Sequence, residues 1–144
     1  MIEQDTIRLL RECDAGIKMG TKAIEDVTEN VTDKQFQKIL TKCKSEHEKL
    51  NAEIQTLLSK YHDDGKDPNP ISQGMSELKT NMKLKMNDSD NTIAELITDG
   101  CNMGVKSLNK YLNEYKAADE TSKDITKKLI NLEEKLAVDI RCFL

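Results

Sequence analysis

Apolar positions in the first part of the chain fall at Leu10, Cys13, Ile17, Ile24 and Val27, with Gly20 filling one turn. Steps of three and four place these residues on one face of a helix, predicted over about residues 4–29. The next segment repeats more strictly. Phe36, Leu40, Cys43, His47, Leu50, Ile54, Leu57 and Tyr61 alternate steps of four and three, which is an a/d seam. Thr32 followed by Gln35 has the form of a capping box, so this second helix is expected to start near residue 33. "HDDGKDPNP" at 62–70 then breaks the pattern. Asn69 is a candidate N-cap and Pro70 a first helical residue, opening a shorter helix over about 70–86 with Ile71, Met75, Leu78 and Met82 on one face. After "NDSDN", Ile93, Ile97, Cys101, Gly104, Val105, Leu108, Leu112 and Tyr115 predict a helix over about 91–116. Ile125, Leu129, Leu132, Leu136, Ile140 and Phe143 predict another over about 120–142. No segment alternates with period two, so no strand is expected.

The chain repeats itself. "CDAGIK" at 13–18 returns as "CNMGVK" at 101–106, an offset of 88, and "EHEKL" at 46–50 returns as "LEEKL" at 132–136, an offset of 86. Near-equal offsets predict a duplicated helical hairpin: one copy over 4–62, a crossover over 63–90 and a second copy over 91–144. A 16-residue helix spans about 24 Å, enough to carry the crossover along much of a bundle. The expected fold is therefore a single all-α domain, a ferritin-like four-helix bundle with a pseudo-twofold axis between the hairpins. Gly16 and Gly104 fall at equivalent places inside long helices, where Gly costs about 1 kcal/mol relative to Ala. Two explanations are open: a close approach of the first and third long helices, or a notch for a large side chain from one of the other two.

Composition narrows the function classes. The 144 residues are 37% hydrophobic, 33% charged and 3% aromatic, with two prolines and six glycines, as expected of a helical bundle. A formal charge of −4, with acids and bases mixed along the chain, argues against a nucleic-acid partner. No apolar run reaches the roughly 18 residues needed to cross a bilayer, so no membrane partner is expected. "MIEQDTIRLL" has no basic leader or cleavage-like site, and the expected location is cytoplasmic.

The candidate chemistry rests on few residues. Cys13, Cys43, Cys101 and Cys142 form no CxxC pair and are expected to be reduced, three of them as small core residues. Cys43 and His47 share a helix face at i, i+4, and Cys13 stands at a similar count from the first hairpin turn. Cys13, Cys43, His47 and Cys101 are thus the candidate metal ligands if a core site exists. An irregular carboxylate set (Glu12, Asp14, Glu46, Asp99 and Glu133) is the other candidate. The competing expectation makes His47 a core residue bonded to Asp14 or Glu12 across the hairpin. A Cys13 or Cys43 nucleophile activated by His47 would sit in a closed core, and no Gly-rich phosphate loop is present, so an enzyme is not expected.

The layout, with "LLRECDAGIKMGTKAIEDV" in the first helix and "DGCNMGVKSLNKYLNEY" in the third long helix, resembles a bacterial domain family of unknown function classed with ferritin-like four-helix proteins. The resemblance covers nearly the whole chain. It implies the fold and carries no activity with it. Ferritin-like relatives that hold two metal ions use one Glu from each of two helices and Glu-x-x-His from each of the others. Here Lys44 stands three residues before His47, the fourth long helix has no His, and His62 lies at a helix end. The standard di-iron set is absent and no cofactor is implied. The expected role is interaction, as a homo-oligomer or with an unknown protein partner. The alternative is a metal or redox protein built on the Cys/His/carboxylate candidates.

Overall fold

Among the described residues, four helices form where the seams place them. A computed structural model describes residues 2–67 and 89–144: α1 spans Ile2–Thr28, α2 Lys34–Lys60, α3 Asp90–Glu114 and α4 Glu120–Asp139. A single 3₁₀ turn, Arg141–Phe143, follows α4, where one continuous helix to 142 was expected. Among the described residues there is no strand, and no helix is long and apolar enough to cross a membrane. The expected short helix at 70–86 and its Asn69 cap lie outside the described residues.

The start of α2 departs from the expected capping box. Asp33 is the N-cap, and its carboxylate accepts from the Phe36 amide at 3.0 Å. Asp119 caps α4 in the same way, accepting from Ser122 at 2.8 Å. Each cap satisfies an amide that has no partner within its helix. Thr32 is employed elsewhere. Its amide and hydroxyl, with the Asp33 amide, all donate to the Asp90 carboxylate at 2.8–2.9 Å. Desolvation opposes the charge, but these three bonds prevail and hold Asp90 below its ordinary pKa. At the other end of the bundle, Asp5 and Thr6 of α1 accept from the Ala117 and Asp119 amides of the α3–α4 turn at 3.0 and 2.8 Å. The first residues of each hairpin thus hold the turn of the other, and α1 and α3 run antiparallel.

α1 packs on α2, α3 on α4, α2 on α4 and α1 on α3. The chain leaving α2 turns back along α1: Asp63 meets Arg11, Lys66 meets Glu12 and Asp14, and Asp67 meets Lys18. This return depends on Gly65, whose φ of +91° suits glycine and whose absent Cβ would lie 2.2 Å from Asp14 Oδ2. Asp14, fully buried, is satisfied by the Lys66 amide at 2.8 Å, Gln55 Nε2 at 2.7 Å and Lys18 Nζ at 3.0 Å.

The core divides into two apolar clusters. One, toward the α1–α2 turn, holds Ile24, Val27, Phe36, Leu40, Cys43, Ile97, Cys101 and Ile140, and the Phe36 ring stacks on Phe143 at 4.6 Å. The other holds Leu10, Cys13, Ile17, Leu50, Ile54, Leu58, Leu108 and Leu129. The α2 seam ends differently from expectation: Leu58 is fully buried, whereas Leu57 and Tyr61 are only partly so. A straight helix drifts about 20° per heptad against a strict seven-residue repeat, so after three heptads the inward position moves on by one.

Candidate functional site

Between the two clusters lies a polar layer. His47 follows Cys43 and precedes Leu50 on α2, and Glu133 falls between Leu129 and Leu136 on α4. His47 Nε2 is 2.7 Å from Glu133 Oε1, and His47 Nδ1 is 2.8 Å from the Cys43 carbonyl oxygen. His47 is 1% exposed and the Glu133 side chain 13%. Both ring nitrogens face acceptors, and only the doubly protonated imidazolium donates to both. Burial works against that charge. The bonds to Cys43 and Glu133 and the Glu133 charge outweigh it, and the His47 pKa rises to about 10. The core thus holds a closed pair of opposite charges, the arrangement in which buried ions are tolerated.

His47 therefore does not bond to Asp14 or Glu12, as expected across the first hairpin. Asp14 is taken up by the return of the chain after α2, and Glu12 by Lys66. Its partner is 86 residues away, the offset that aligns "EHEKL" with "LEEKL". That alignment, which sets His47 against Glu133, was the signal available in the sequence.

Two glycines border the pair. A Cβ on Gly20 would lie 3.8 Å from Glu133 Oε1 and 3.9 Å from His47, and one on Gly104 would lie 3.6 Å from the Glu133 carboxyl. Neither explanation requires glycine at these two positions: nothing lies within 4 Å of a Cβ on Gly16, and one on Gly104 would make only ordinary contact with Glu133 of α4.

The four candidate ligands do not converge. Cys43 Sγ is 3.4 Å from His47 Nδ1, and Cys101 lies beside Glu133, its thiol pushed up by burial and by that negative charge. Cys13 belongs to the other cluster, its Sγ 3.2 Å from Thr126 Oγ1. The Thr126 hydroxyl donates to the Ser122 carbonyl at 2.8 Å, so the Cys13 thiol is the donor to Thr126. Burial raises its pKa to about 12. Similar counts from the turn misled because side chains lean toward the N-terminus of their own helix. On antiparallel α1 and α2, His47 leans toward the turn and Cys13 away from it. The carboxylate candidates are dispersed likewise: Glu46 lines an outer groove, Asp99 is exposed, and only Glu133 enters the polar layer. Among the described residues no group of three or more His, Cys, Asp and Glu is placed to hold a metal ion. Cys142 is exposed, and all four cysteines are free.

The outward side of α2 shows what the mixed overall charge concealed. This helix carries six lysines against three glutamates, within a chain of formal charge −4. Lys34, Lys38, Lys42 and Lys49 are all exposed, and none makes an ion pair within the described residues. Between α2 and α4 a groove of about 200 Å³ adjoins them, lined by Lys38, Lys42, Ile39, Leu132, Leu136 and Lys135 among others. Comparison with protein-family models, curated proteins and solved structures finds no match.

Proposed function

We propose that the chain is a non-catalytic ferritin-like bundle of two duplicated hairpins, acting in the cytoplasm through protein partners or self-association. One observation carries this reading: the reactive groups of the core are occupied by one another. His47 is bonded at both nitrogens, and Cys13 is bonded to Thr126. The antiparallel hairpins, each turn held by the start of the other hairpin, support the duplication. The test is metal content by plasma mass spectrometry on protein purified anaerobically without chelator or affinity tag, with unfolding followed in chelator. The expected result is no stoichiometric metal and an unchanged midpoint.

The second reading, a metal or redox protein, draws on the proximity of Cys43, His47, Glu133 and Cys101. Near-stoichiometric zinc or iron, lost in His47→Ala, would establish it in place of the first.

A further inference from the structure

We infer that the outer face of α2 and the adjoining α2–α4 groove dock an acidic, amphipathic segment of a protein partner. Its carboxylates would meet Lys34, Lys38, Lys42 and Lys49, and one of its apolar side chains would enter the groove. The inference rests on the partner-binding reading and names the partner's chemistry.

Charge complementarity sets the class of occupant. Lys34, Lys38 and Lys42 recur at every fourth residue, and Lys49 follows seven residues on, so the row spans about 22 Å of helix. Residues four apart are neighbours on a helix, so a helical segment with Asp or Glu at the same spacing can face the row along its length. Lys135 stands on the α4 side of the groove but is held by Asp139 at 3.5 Å. Glu46 is the acidic group on the α2 side. Beside this groove, the four outer lysines thus have no ion pair within the described residues and stand open to a partner. Between the two walls, Ile39 and Leu132 offer apolar surface. Ile39 and Leu132 are only partly covered by the core.

The same features weigh against other anions. A peripheral membrane helix buries an apolar face among the lipids, whereas the apolar face of α2 is already in the core. Among the described residues, the exposed large apolar side chains (Ile2, Met103, Val138 and Leu144) all lie off α2. An extended polyanion would leave the apolar groove unused.

The test is selection of displayed random 16-residue peptides on the full chain, followed by NMR mapping of the winners. The expected winners are acidic, carry Leu, Ile or Phe, and shift amides of residues 34–49 and 132–139. Lys38→Glu with Lys42→Glu, checked for unchanged circular dichroism and thermal midpoint, should weaken them at least tenfold. Exchanging Glu for Lys in the peptide should recover binding to that variant. Neutral or basic winners, or winners mapping elsewhere, overturn this inference and leave the partner-binding reading standing. Failure to enrich any peptide also overturns it, and metal content then decides the wider reading. Phosphatidylserine vesicles and duplex DNA are run as further probes. Comparable binding of either through the same lysines overturns the inference, as does self-association abolished by the two substitutions, which would assign the face to a second copy.

Discussion

His47 and Glu133 meet at 2.7 Å across the centre of the bundle, joining α2 to α4 between two apolar clusters. Removing one member strands the other. Breaking a buried pair costs about 3–5 kcal/mol, while replacing both members with apolar residues is often neutral or stabilising. Glu133→Leu and His47→Leu should each therefore destabilise by about that amount, and the double variant should recover most of the loss. Urea unfolding of the four proteins measures the coupling. Single variants costing under about 1 kcal/mol would mean that the pair is open to water.

The same pair gives stability a definite pH dependence. His47 has a folded pKa raised from 6.5 to about 10. The folded protein therefore keeps a proton that the unfolded chain releases near pH 6.5. The contribution is fully present below about pH 6.5, declines above it, and is lost as pH rises through about 10. The difference in unfolding free energy between the wild type and the double Leu variant should fall over that window. NMR of the His47 ring should show both N–H protons at pH 8. A ring that titrates near 6.5 would contradict the charged pair.

The glycines should separate by environment. Gly16→Ala meets nothing within 4 Å, so it should stabilise by about 1 kcal/mol through helix propensity alone. Gly104→Ala makes only ordinary contact with Glu133 and should be tolerated, whereas Gly104→Leu would displace that side chain and destabilise. Gly65→Ala combines a positive φ with a clash on Asp14, and should lose at least about 1–3 kcal/mol. Thermal unfolding ranks the four. A destabilised Gly16→Ala would show that α1 has a neighbour there.

Thiol reactivity provides an independent check on the core. Cys142 is exposed, Cys13 and Cys101 are buried with raised pKa values, and Cys43 is 7% exposed beside the groove. One of the four thiols should react rapidly with an aromatic disulfide reagent in native protein, and Cys142→Ser should remove that phase. A fast phase assigned to Cys13 or Cys101 would place that thiol at the surface.

Helix existence and extent were legible in the sequence because they are local. A 3.6-residue period and backbone bonds between near neighbours put α1, α2, α3 and α4 within about two to three residues of their expected ends, and most seam residues in the core. What the linear pattern leaves open is what depends on direction and register between helices. Thr32 matched a capping box, yet Asp90 from α3 engaged it and left the cap to Asp33. Leu57 matched the heptad, but helical drift turned Leu58 inward. Cys13 matched His47 in count from the turn, but opposite lean on antiparallel helices sent them to different layers. The partnership of His47 with Glu133 and the outward setting of the lysine row on α2 were decided by tertiary structure. The reason is physical: a helix period fixes which residues share a face, whereas only the packing of one helix on another fixes what that face meets.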